Sequence, residues 1–134
     1  MELKLVNICK NGGYYVEGNG SSTTVWYDGI TTPTLTQTSL EKQKKNFEKL
    51  ENALEIIKAT DIYKYNLKGE EDGTKKHIGF VIGDKYNYSK ELTSKNNDGA
   101  DIYSLASCCL AGIKELAIQN EKMQKEIEKL KEGK

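Results

Sequence analysis

The sequence predicts an α+β chain in three parts: a β-rich amino-terminal segment, a core of one helix and one β-hairpin, and a long carboxyl-terminal helix that winds in parallel with copies of itself. Three observations carry this reading. The apolar spacing from Ala106 to Leu130 alternates strictly between three and four, the composition changes abruptly at Thr38, and an alternating tyrosine-rich run faces an apolar run across a charged glycine turn between about residues 61 and 92. The boundaries that follow are 1–37 for the first part, 38–104 for the core and 105–134 for the last helix.

Residues 1–37 are rich in Thr, Val, Tyr, Asn and Gly. Alternating stretches such as Leu3-Lys4-Leu5-Val6-Asn7-Ile8 and Thr23-Thr24-Val25-Trp26-Tyr27 are separated by Asn11-Gly12-Gly13 and Gly18-Asn19-Gly20, a pattern of short strands and tight turns. The segment is too poor in core residues to stand alone.

At Thr38 the pattern becomes helical. Thr38 followed by Glu41 has capping-box spacing, in which the hydroxyl accepts from the third helical amide and the carboxylate reaches back. Phe47, Leu50, Leu54 and Ile57 recur at helical steps, with Ala53 and Ile56 widening the stripe, so a helix with one buried face is expected over 38–59. That face packs either on its own domain or at a subunit contact. Strands are then expected over about 61–92. Ile62-Tyr63-Lys64-Tyr65-Asn66-Leu67 alternates, Gly69-Glu70-Glu71-Asp72-Gly73 is a turn, and His77-Ile78-Gly79-Phe80-Val81-Ile82-Gly83 supplies the partner strand. Gly79 and Gly83 do not make a phosphate loop, since no Lys-Ser/Thr pair follows and no helix opens there.

With Ile113 at heptad position a, the terminal seam is Ala106 (a), Cys109 (d), Ile113 (a), Leu116 (d), Asn120 (a), Met123 (d), Ile127 (a) and Leu130 (d). Glu126 at g stands five residues before Lys131 at e, the offset at which charges meet across a parallel contact. Asn120 is the polar intruder that fixes register by pairing with its own copies. Side-chain shape in this mixed seam does not choose between two strands and three.

Composition narrows the function classes. A hydrophobic fraction of 37% against 30% charged is lean for a compact monomer, and self-association is the natural remedy. Twenty basic residues balance twenty acidic ones, so no net charge draws the chain to nucleic acid or an anionic membrane. Cys9, Cys108 and Cys109 form an odd set with no CxxC spacing, and His77 is the only histidine; free thiols in a reducing compartment are expected, with no metal and no cofactor. No apolar run has the length of a membrane span and no signal-peptide pattern opens the chain, so a soluble product of the cytoplasm is expected.

Taken in order, these pieces resemble the carboxyl-terminal intramolecular chaperone, or auto-processing, domain of phage endosialidases, tail spikes, neck appendages and tail fibres. In that family a serine opens the domain in a pattern Ser-Asp-x-Arg-x-Lys-x-Asn-Ile, on which Ser39-Leu40-Glu41-Lys42-Gln43-Lys44-Lys45-Asn46-Phe47 lies without a gap. The likeness continues through Ile62-Tyr63-Lys64-Tyr65, Gly79-Phe80-Val81-Ile82 and Ile102-Tyr103-Ser104-Leu105 to Ala111-Gly112-Ile113-Lys114-Glu115-Leu116 and the heptads. It departs where Leu40 replaces the acidic residue and Lys42 the arginine.

The resemblance implies a homotrimer whose partners are its own copies and the preceding fibre segment of the same polypeptide. On it, residues 1–37 are the end of a fibre shaft, and the terminal helix is a parallel trimeric coiled coil. It further implies a single-turnover serine peptidase, with Ser39 as nucleophile, Lys44 as base and a scissile bond between Thr38 and Ser39, the other side of the serine remaining open. A serine hydroxyl needs a neighbouring base, and a lysine serves only when its surroundings favour the neutral amine. In an ideal helix the separation of Ser39 and Lys44 would leave them on differing faces, so Ser39 is expected at the cap or just before it, or else Lys44 reaches the serine of a neighbouring copy. The expected location is the host cytoplasm during assembly, and the virion tail if no cut occurs. The alternative is a structural or receptor-binding fibre tip, retained without proteolysis.

Overall fold

The structure is a computed structural model and describes residues 33–133. The chain divides into two units, Met1–Thr36 and Gln37–Lys134, and the second carries the elements described below. The strands expected before residue 33, together with Cys9, lie outside the described residues.

The helix expected over 38–59 is realised only at its end. Helix α1 spans Ala53–Lys58, and residues 38–52 before it are irregular apart from a single 3-10 turn over Glu41–Gln43. The capping box does not form: Leu40 precedes the turn in an extended conformation with no side-chain cap. Two local causes oppose a longer helix. Asn46 takes a left-handed φ of 56°, which interrupts helical geometry, and Lys42, Lys44 and Lys45 crowd like charge into one turn. The expected apolar stripe shrinks accordingly. Phe47 stays 66% exposed, whereas Ala53 and Ile56, the residues that only widened the stripe, become its buried face.

The hairpin forms where it was expected, with both strands shorter than the runs read from the sequence. Strand β1 (Tyr63–Tyr65) pairs antiparallel with β2 (His77–Gly79), with Tyr63 opposite Gly79, Lys64 opposite Ile78 and Tyr65 opposite His77. Its turn is closed by Glu70, whose carboxylate accepts from the Leu67 amide at 2.8 Å and meets His77 Nε2 at 2.7 Å. These bonds hold the Glu70 carboxyl below the usual glutamate range: the His77 contact contributes most, then the Leu67 amide. Tyr65 stacks on His77 across the pair.

Past the hairpin, a 3-10 turn over Lys90–Leu92 inserts Leu92 into the core. An antiparallel bridge between Thr93 and Ala100 then folds the chain back. Helix α2 begins at once and spans Ile102–Glu132. Its start is fixed twice: the Asp101 side chain accepts from the Ser104 amide at 2.9 Å, and the Asp101 amide donates to Leu92 O at 2.9 Å. The helix is the one expected from the heptads, beginning three residues ahead of the expected boundary at 105. No helix among the described residues is long and apolar enough to cross a membrane.

The core is small. Ala53 and Ile56 of α1, Leu92 of the 3-10 turn before α2 and Cys108 of α2 are buried, with Phe80, Leu105 and Ala111 packed against them. Close approach of the two helices depends on Gly112, where a Cβ would collide with Ile57 Cδ1. The tie is completed by Glu115. Its two carboxylate oxygens accept from the Ala53 amide at 2.9 Å and the Leu54 amide at 3.1 Å, capping α1 from a neighbouring helix.

Candidate self-cleavage site and association face

The 3-10 turn that replaces the expected helix start also builds the candidate site. Lys44 N donates to Glu41 O at 2.9 Å and Gln43 N to Leu40 O at 3.0 Å, a tight return of the backbone. Lys44 itself is extended (φ −127°, ψ 160°), and its side chain turns back along the chain. Lys44 Nζ thereby lies 2.5 Å from Ser39 Oγ. The face problem posed by an α-helix disappears, since residues 39–44 are not α-helical. The contact lies within one chain and needs no neighbouring copy.

A third group, unassigned by sequence reasoning, completes the cluster. Tyr103 Oη donates to Ser39 Oγ at 2.9 Å from the first turn of α2. The hydroxyl at residue 39 is thus held from both sides, by a lysine of its own turn and by a phenol 64 residues further on. Rigid anchorage of Tyr103 comes from the helix start just described, through Asp101 to the buried Leu92. The sequence signal was its place beside Asp101, a residue type that caps helices, but a contact across this separation leaves no local pattern. Ser39 and Lys44 are both exposed, as are Thr38 on the expected scissile bond and Leu40, the residue at the family's acidic position.

The second feature is the long helix. Its α1-packed face is made by Leu105, Cys108, Ala111, Gly112 and Glu115. The heptad seam is a different stripe, turned to the side of it. Every seam residue is exposed: Ala106, Cys109, Ile113, Leu116, Asn120, Met123, Ile127 and Leu130, with Ile113 at 65% and Leu130 at 71%. The core of the same chain therefore covers one flank of α2 and leaves the heptad flank open. Cys108 and Cys109, adjacent in sequence, fall on opposite sides of this division, Cys108 buried and Cys109 exposed, and both are free thiols. Burial pushes the Cys108 thiol up, with smaller contributions from Cys109, Glu91 and Glu115.

Residues 41–84 match the model of the peptidase S74 family, described as chaperone of endosialidase. The match bears out the resemblance read from the sequence, over the stretch from the 3-10 turn through the hairpin. Lys44 falls inside it; Ser39, Tyr103 and α2 fall outside. No curated protein and no solved structure gives a match.

Proposed function

We propose, from the chaperone-of-endosialidase match over residues 41–84, that the segment from Thr38 onward is an intramolecular chaperone that trimerises through α2 and brings the preceding segments of three identical chains together as a phage tail fibre or spike. The observation that carries this reading is the open heptad flank of α2. A stripe of Ile113, Leu116, Met123, Ile127 and Leu130 in water is unfavourable, and the chain's own core is already committed to the other flank. Asn120 within the stripe and the Glu126 and Lys131 charges beside it suit a second copy in parallel register. The count of three rests on the family likeness.

The physical task is one of register. Strands that intertwine between chains need non-local pairing, which is slow and open to slippage. A terminal bundle that forms first turns an encounter of separate chains into local zipping at high effective concentration. The work belongs to the host cytoplasm during assembly. The domain stays on the virion tail, as a structural or receptor-binding tip, where no cut follows.

Release follows from the cluster at Ser39. In the resting pair the Lys44 ammonium donates to Ser39 Oγ; attack requires the neutral amine, with the serine hydroxyl then donating to it. Ser39 Oγ bonds to the Thr38 carbonyl carbon, and its proton passes to Lys44. The bond from that carbon to Ser39 N breaks as the proton is delivered to the leaving nitrogen. The product is an ester of Thr38 on Ser39, which water hydrolyses to a Thr38 carboxylate and a restored serine hydroxyl. Ring strain selects this side of the serine: attack on its own carbonyl would close a β-lactone, whereas attack on the preceding carbonyl closes an unstrained oxazolidine-type ring.

Sedimentation of the intact protein tests the assembly reading. A trimer is expected, reduced to monomer by Ile113→Asp with Ile127→Asp; a monomeric wild type overturns it. Denaturing gels of wild type, Ser39→Ala and Lys44→Ala test release. Two fragments from the wild type and one full-length band from each variant are expected, and a full-length band from all three leaves a retained tip in place of a released chaperone.

A further inference from the structure

The cluster at Ser39 has a member that a serine and lysine pair does not require. Tyr103 Oη donates to Ser39 Oγ at 2.9 Å, and the ring stands on the best-anchored stretch near the site: the Asp101 side chain caps α2 there, and the Asp101 amide bonds to the carbonyl of buried Leu92. Ser39, by contrast, is exposed, lies in an irregular strip and is not part of the core cluster. The hydroxyl to be activated is therefore located relative to the domain by one phenol.

A serine hydroxyl has one proton to give and two lone pairs. Lys44 as a neutral amine takes the first role and Tyr103 occupies one lone pair, which leaves the second aimed and free for attack. The same phenol has a larger effect later. When water attacks the Thr38 ester, the C–Oγ bond breaks, the electron pair goes to Oγ, and negative charge develops on the atom to which Tyr103 donates. Donors placed where charge develops speed a step far more than donors to the resting state. Lys44, a neutral amine again after passing the serine proton to the leaving nitrogen, takes up a proton from the attacking water and returns it to Oγ.

We infer that Tyr103 is a catalytic hydrogen-bond donor to Ser39 Oγ, which orients the nucleophile for acyl transfer and stabilises the departing serine oxygen when the ester is hydrolysed. The inference rests on the self-cleavage reading above and adds a residue outside the serine and lysine pair. Loss of a donor to a charged oxygen corresponds to about 10- to 100-fold in rate. Ester hydrolysis should suffer more than acyl transfer, so the ester should accumulate.

The test follows cleavage of the full chain in wild type, Ser39→Ala, Tyr103→Phe and Asp101→Ala, with hydroxylamine added to half of each sample and the fragments weighed by mass spectrometry. Tyr103→Phe is expected to cleave about 10- to 100-fold more slowly than wild type and, with hydroxylamine, to yield an amino-terminal fragment ending in a Thr38 hydroxamate in place of the carboxylate. Asp101→Ala loosens the helix start without removing the phenol; it controls for a merely structural role and should give no excess hydroxamate over wild type. Wild-type cleavage at the same rate as Tyr103→Phe, or equal hydroxamate in Tyr103→Phe and Asp101→Ala, overturns the role of Tyr103 while self-cleavage stands. An uncut wild type indistinguishable from Ser39→Ala overturns self-cleavage, and the role of Tyr103 with it.

Discussion

Glu115 is the joint on which the small core hangs, and Glu115→Ala measures it. The carboxylate spans from α2 to the first two amides of α1, at 2.9 and 3.1 Å, in a partly buried setting. Those amides have no partner within their own helix, because the first turn of any helix leaves its donors unmatched. A hydrogen bond to a charged group contributes about 1.5–3 kcal/mol, and an unmet buried donor costs about 1–3 kcal/mol. Both amides sit at a helix end that water can partly reach once the side chain is cut back. The expected loss for the pair is therefore about 2–3 kcal/mol, nearer the value of one full bond than of two. Glu115→Gln keeps one acceptor and should lose about 1 kcal/mol. With a urea slope of about 1–3 kcal/mol/M, the alanine variant's midpoint should fall by about 1–2 M. Far-UV circular dichroism against urea reads this, at one fixed protomer concentration, since association shifts the midpoint by mass action. Glu121→Ala, at an exposed position further along α2, is the control. A Glu115→Ala midpoint no lower than that of Glu121→Ala would mean that the carboxylate does not hold the helices together.

Gly112→Ala places a methyl where Ile57 Cδ1 already sits, and Leu54 Cδ2 is only 3.6 Å away. Overpacking of this kind should cost about 1–3 kcal/mol in the same urea assay, part of it recovered by pairing the change with Ile57→Val. Asn120→Ile should raise the thermal midpoint while broadening the distribution of oligomers in native mass spectrometry, because it removes the polar register mark from the seam. Thiol reagents should modify Cys109 slowly in the associated wild type and promptly in the Ile113→Asp, Ile127→Asp variant, and Cys108 only on unfolding in either. Since the native Cys108 thiol is raised, its contribution to stability is full below the ordinary thiol range and is lost as pH climbs through the raised native value, so Cys108→Ala should flatten the alkaline limb of the stability profile. Glu70 runs the other way. Its lowered native value gives stability that is present above the ordinary glutamate range and lost as pH falls through the native one, and Glu70→Gln should flatten the acid limb.

The parts legible in the sequence are those governed by local period. The heptads of α2, the β1 and β2 pairing and the free adjacent thiols all follow from spacing within a few residues of each other. The proximity of Ser39 and Lys44 was legible from the family likeness, although by a different local geometry. Over-reading occurred at 38–59, where a capping pattern and a helical stripe are both present. Such a stripe forms helix only where something covers it, and the core reaches no further back than Ala53, while Asn46 turns the chain left-handed. Tyr103 and Glu115 escaped for the opposite reason. Each makes its decisive contact with a residue more than sixty positions earlier. On a helix surface, Glu115 reads as one more solvated charge among many.

Helix α2 has two unequal portions. Among the described residues, the core packing and hydrogen bonds of α2 against α1 end at Glu115, Ile118 borders a shallow pocket with Lys49, Leu50 and Glu51, and the later turns, through Glu132, are exposed. At about 1.5 Å per residue the exposed portion after Ile118 is about 21 Å long, like the handle of a tool whose head is elsewhere. Its length is thus an independent dial. Heptads can be trimmed from or spliced onto the carboxyl end to weaken or strengthen the grip between copies by steps, and the tertiary structure near Ala53 would not register the change.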